Sequence, residues 1–162
     1  GSEMCIRDRV ITKRDVSRAF NWTRLVPRDV RNFIVPIHGH GVQSVPEVLI
    51  VSLVMPFGWN GAPGEYMGQA WGAKLVHQSY RPPQANRDDS VHFGAKWLMD
   101  DPVIVEPMVG LRPWMSAECL ENAMHQTWGP ESINVQKMGE EGMFKDEQMV
   151  WGLLMNTQKK NL

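Results

Sequence analysis

Cysteine is scarce in this chain of 162 residues: Cys5 and Cys119 stand at no spacing that serves a disulfide framework or a zinc site. That excludes a small disulfide-stapled secreted domain and makes a reducing intracellular compartment, cytoplasmic or nuclear, the expectation. Long apolar runs are lacking too. The longest, 48–55, is strand length, so no membrane span is expected. No secretory leader is legible, because charges crowd Glu3 to Arg14. Charge of one sign is also missing. With 17 Lys and Arg against 18 Asp and Glu, the net charge is −1, which argues against unaided nucleic-acid binding.

What is present suits one domain with a proper core, at 43% hydrophobic and 22% charged residues. Lys13, Arg14, Arg18, Arg24, Arg28 and Arg31 bias the front of the chain basic, while Glu140, Glu141, Asp146 and Glu147 make the back acidic. The 11 methionines read as core filler. No internal repeat or low-complexity segment is evident. Residues 3–9, Glu-Met-Cys-Ile-Arg-Asp-Arg, look like a translated sequencing-adapter fragment. Residues 1–9 are therefore set aside as a non-native leader, and 10–162 are read as the domain.

Along that domain, Val10–Thr12 predicts a strand and Pro27–Phe33 one or two helical turns. Residues 34–37 and 45–55 predict a hairpin around the turn His38-Gly39-His40-Gly41. Two histidines without a third ligand read as a surface turn rather than a metal site. Tyr66, Met67, Ala70, Trp71, Lys74, Leu75 and Gln78 fall at three- and four-residue spacings, predicting a helix over 64–78. A polar connector carrying Asp88-Asp89 follows, then strands at 91–99 and 102–106. A second helix is expected from an N-cap at Ser116 to Trp128, stopped by Gly129-Pro130. Short strands near 133–136 and 148–155 complete an α+β fold, an antiparallel sheet with helices packed on one face.

Asp100-Asp101 interrupts the apolar run from Ala95 to Val105. Two adjacent carboxylates there read either as a solvated hairpin turn or as a site for a hard cation, which takes oxygen ligands. Asp15 ends the first predicted strand. If that strand lies beside the hairpin, three carboxylates meet at one edge, the donor set of a two-metal site for phosphoryl chemistry.

Five segments, in order, carry a resemblance. Arg14-Asp15-Val16-Ser17-Arg18-Ala19-Phe20 resembles the first catalytic motif of reverse transcriptases, and Met55 to Pro63 their template- and nucleotide-positioning loop. Leu98-Met99-Asp100-Asp101 is similar to the aromatic-x-Asp-Asp hairpin. Ile133-Asn134-Val135-Gln136-Lys137 resembles the later motif ending in Lys, and Val150-Trp151-Gly152 the primer-grip strand. The resemblance is to the palm of a retrotransposon-type RNA-directed DNA polymerase.

It implies a polymerase palm with most of the fingers and the thumb absent, and nucleotidyl transfer to a primer 3′-hydroxyl. Asp15, Asp100 and Asp101 would be catalytic. With the Val16 carbonyl they would bind two Mg²⁺ ions (or Mn²⁺). Phe20, Phe57, Gly58 and Lys137 would meet the nucleotide, and Trp151 and Gly152 the primer. The implied partners are an RNA or DNA template with primer and dNTP. The alternatives are a core aromatic for Phe20, a residue pinning its loop for Phe57, a solvated lysine for Lys137 and a buried side chain for Trp151. Two positions depart from the pattern: Leu98 stands where the family has an aromatic, and Pro102 where it has an apolar residue. Little or no polymerase activity is expected of the chain alone. The alternative is a decayed or repurposed, non-catalytic palm remnant acting as an interaction module.

Overall fold

The computed structural model describes residues 9–37, 48–82 and 92–158. It is an α+β structure with antiparallel strand pairing throughout. The expected His38 and His40 turn, the Asp88-Asp89 pair and residues 1–8 of the expected leader lie outside the described residues. The chain divides into two compact units, one comprising the residues up to Ser17 together with those from Met67 onward, the other Arg18–Tyr66.

The first unit is built on a three-stranded sheet of β1 (Arg9–Lys13), β5 (Asp101–Pro107) and β4 (Ala95–Leu98), in the order β1-β5-β4. Ile11 pairs with Val105 and Lys13 with Val103, so β5 lies between the other two strands. A central strand is covered on both faces and should be apolar throughout. Pro102, Val103, Ile104 and Glu106 are all buried, and Glu106 is the one charge among them.

Side chains alternate across the pleat. On one face Ile11, Val103 and Val105 pack with Val150, from the hairpin of β6 (Glu147–Val150) and β7 (Leu153–Asn156). On the other face lie α3 (Arg112–Trp128) and the Met67–Ser79 part of α2 (Ala62–Ser79). There Trp97 of β4 meets Trp128 at 5.8 Å, and His77 of α2 stacks on Phe93 at 5.9 Å. α2 and α3 thus share one face, while the hairpin covers the other, where α4 (Val135–Glu141) also brings Lys137 and Glu141 to Asp15 and Lys13.

The described strands β3 (Val48–Val51) and β4 are shorter than the expected 45–55 and 91–99, and two further elements differ from expectation. The second helix begins at Arg112, with Pro113 in its first turn, where a missing N–H costs nothing. Ser116 is therefore no cap; it is buried and donates its hydroxyl to Glu106 at 2.9 Å. The segment expected as a strand at 133–136 is mostly helical: α4 spans Val135–Glu141. Asn134 caps it, its side-chain oxygen accepting the Lys137 backbone N–H at 3.3 Å. Only Ile133 keeps strand character, bridging Val16.

The second unit holds the short helix α1 (Pro27–Val30), a 3₁₀ turn at Arg31–Phe33, and the hairpin of β2 (Ile34–Ile37) and β3 (Val48–Val51). Arg24 bridges Val54, and α2 contributes its first residues, Ala62–Tyr66. All eight residues of β2 and β3 are exposed.

Candidate functional site

The β1–β5 pairing continues past the end of β1. The Arg14 N–H donates to the Pro102 carbonyl at 3.0 Å, and the Val16 N–H to the Asp100 carbonyl at 2.8 Å. Asp15 is therefore opposite Asp101 in the non-hydrogen-bonded position between those two bonds. In that kind of pair the Cβ atoms are about 4.5–5.5 Å apart and the side chains share a face. Asp100 occupies the turn between β4 and β5. Met99 before it has φ +52°, a left-handed conformation that few non-glycine residues adopt. A two-residue hairpin loop demands positive φ at its first position; Met99 supplies it under strain, and the tight turn keeps Asp100 beside Asp101.

The electrostatics follow from this crowding. The Asp101 carboxyl is pushed above its ordinary value, first by burial, then by the charges of Asp100 and Asp15, while Lys137 and Lys13 pull it back. Asp15 is itself buried and its carboxylate is doubly held. Asn134 Nδ2 donates to Oδ2 at 2.9 Å, and the Lys137 ammonium donates to Oδ1. That bond raises the Lys137 ammonium above its usual value; partial burial opposes it, and the charges of Asp15, Asp101 and Asp100 add to it. Lys13, on the same strand face, pairs with Glu141 at 2.7 Å.

The β6–β7 hairpin overhangs this corner. Its turn residues, Trp151 at φ +52° and Gly152 at φ +80°, are both left-handed, as a two-residue turn matching strand twist requires. Trp151 donates its indole N–H to the Asp101 carbonyl at 3.1 Å, which ties the hairpin to the acidic turn.

The first unit thus brings together Asp15, Val16, Asp100, Asp101, Lys137 and Trp151, with Gly152 beside Trp151. Phe20, Phe57 and Gly58 belong to the second unit. There Phe20 makes edge contacts with Phe57 and Tyr66, each at 5.7 Å, so it packs as a partly covered aromatic. Phe57 is nonetheless 91% exposed, a flat apolar face presented to solvent. Gly58 follows at φ +91°, a conformation that a side chain would strain.

Sequence reasoning missed the role of Asn134 and the Lys13–Glu141 pair. The available signal for the first was an Asn ahead of a short run free of Gly and Pro, Val135-Gln136-Lys137-Met138, which reads as a helix cap as readily as a strand.

The donor chemistry suits a hard divalent cation, because Asp15 and Asp101 face each other beside Asp100, and burial first, then the neighbouring carboxylates, raise Asp101. Among the described residues, however, no three His, Cys, Asp or Glu side chains are already grouped to hold an ion. The positive charge at Asp15 is the Lys137 ammonium. No described helix is long and apolar enough to cross a membrane. No family model matches the chain, and no curated protein matches it.

Proposed function

We propose that this chain is the catalytic palm of a retroelement RNA-directed DNA polymerase. The observation that carries the reading is Asp15 facing Asp101 across neighbouring strands, with Asp100 in the adjoining turn. Such an excess of carboxylate calls for cations from outside the chain. Asp15, Asp100, Asp101 and the Val16 carbonyl would hold Mg²⁺ (two ions, or Mn²⁺). When bound, those ions make a primer 3′-hydroxyl more acidic and steady the departing pyrophosphate.

The chain's own residues have separable tasks on this reading. Lys137 stays charged at neutral pH, because Asp15 favours its protonated form, and it supplies a cation within reach of the acidic turn. The Trp151–Gly152 turn lies over Asp101 and offers an indole and a bare backbone to a primer terminus. Phe57 and Gly58 offer an apolar face and a bare backbone to a base or sugar, and Phe20 backs Phe57. Template, primer and dNTP are the proposed partners.

The test is primer extension on an RNA template with Mg²⁺ by the protein that carries this chain. Asp100→Asn should reduce extension to background; extension equal to the parent would end the reading.

One observation favours a second reading, a non-catalytic palm remnant serving as an interaction module. Lys137 already answers the charge of Asp15, as a retired metal site would have it. The exposed apolar strands β2 and β3 would then supply a contact surface. Addition of Mn²⁺ separates the two, since only a working site releases Lys137 to take up the metal.

A further inference from the structure

Three of the bonds that Asn134 makes meet at the Asp15–Lys137 pair. Its side-chain amide donates to Asp15 Oδ2 at 2.9 Å, its backbone N–H donates to the Asp15 carbonyl at 3.0 Å, and its side-chain oxygen caps α4 by accepting the Lys137 backbone N–H at 3.3 Å. One asparagine therefore touches both members of the Asp15–Lys137 ion pair. It lies 119 residues from the aspartate and three from the lysine.

We infer that Asn134 is a positioning residue, one that sets the orientation of the Asp15 carboxylate and, through the start of α4, the point from which Lys137 reaches it. The inference deepens the polymerase reading and rests on it only where metal is concerned. The chemistry is economical. A carboxylate on an extended strand is free to turn about two torsions. A neutral amide donor on one oxygen fixes that rotation without adding charge, and leaves the other oxygen to a cation. An aspartate here would cap α4 as well, yet it would place a fourth carboxylate at a crowded corner and could not donate. The amide suits both tasks. Its oxygen faces the helix and its nitrogen faces the acid.

The discriminating variant is Asn134→Ser. Serine caps a helix about as well as asparagine and keeps the backbone N–H, but its hydroxyl is too short to serve the cap and Asp15 together. The full chain should fold with its cap intact, its thermal midpoint lowered only by the lost bond to Asp15. In the metal-free chain, the Asp15 carboxyl ¹³C resonance and the Lys137 ammonium ¹⁵N resonance should both shift, because the pair is no longer held. In Mn²⁺ titrations followed by calorimetry, affinity should fall by about tenfold, the usual loss when a partner orienting a metal ligand is removed. Asn134→Ala should lose the cap as well, and its thermal midpoint should fall.

Unmoved Asp15 and Lys137 resonances in the serine variant would overturn the positioning role, whatever the metal does. So would parent-like Mn²⁺ affinity in that variant. If both resonances move while the parent chain binds no Mn²⁺, the positioning of Asp15 stands and the metal-dependent reading of the site falls.

Discussion

Two carboxylate clusters lie on opposite faces of the same three-stranded sheet, and they have been treated in opposite ways. Glu106, on the helix-covered face, is almost completely answered. Arg112 Nε donates to Oε2 at 2.6 Å, the Ser116 hydroxyl donates to Oε1 at 2.9 Å, and the Gly94 N–H points at Oε1 from 3.4 Å. His77, fully buried, joins the network, its Nε2 lying 3.0 Å from the Ser116 carbonyl oxygen. Asp15 and Asp101, on the face toward the β6–β7 hairpin, with Asp100 in the adjoining turn, remain in surplus: Lys137 and Asn134 serve Asp15, and Asp101 stays raised by burial and then by its acidic neighbours. A buried charge that finds all its partners inside the fold is architecture. One left crowded by like charges stores a demand for a ligand.

The comparison breaks most visibly at the structural cluster. Arg112→Met should strand the Glu106 carboxylate and destabilise the chain by about 3–5 kcal/mol, read by chemical denaturation. Adding Glu106→Leu to that variant should recover much of the loss; no recovery would mean that Arg112 contributes through packing instead.

A comparable effect is expected from acid. Burial holds the His77 imidazole down at about 4, against an ordinary value of 6.5, and the Ser116 carbonyl offsets only part of this. The unfolded chain then binds a proton between those values while the folded chain does not. Stability should be fully present above pH 6.5 and fall as the pH drops toward 4, by about 3 kcal/mol for this one group. Denaturation midpoints measured across that range check it, and His77→Gln should flatten the slope.

Metal sharpens the contrast at the other cluster. Mn²⁺ at about ten times its dissociation constant should stabilise the parent by about 1.4 kcal/mol, a rise of several degrees in thermal midpoint. Asp15→Asn should abolish that rise, and the Arg112→Met, Glu106→Leu pair should retain it. The smallest effect has the opposite sign to an ordinary substitution. Asp101→Asn removes one of three mutually repelling charges and should leave the metal-free chain slightly more stable, by about 0.5 kcal/mol. A matching loss instead would show that the Asp101 carboxylate is already compensated.

Much of this arrangement was legible locally. The apolar runs on either side of Asp100-Asp101 announce a hairpin, because each run can bury itself only by turning back on the other. Pro27 and the spacing of residues 66–78 announce the helical turns of α1 and the body of α2. The 133–136 segment misled because Ile133 and Val135 favour strands by side-chain shape. Its backbone instead follows the cap that Asn134 supplies, and the spare donor of that asparagine reaches Asp15. Ser116 misled for a related reason: its hydroxyl has a buried partner, Glu106, which lies in another element.

The pattern of apolar and polar residues by itself determined the class of fold and the acidic hairpin. It could do so because strand and helix periods are short-range properties of neighbouring residues. Only the tertiary structure decided that Asp15 faces Asp101, that Lys137 reaches Asp15 across 122 positions, and that Glu106 is silenced while the aspartates are not. Those outcomes depend on which strand buries Ile11 against Val103 and Val150, a choice made by packing between distant segments.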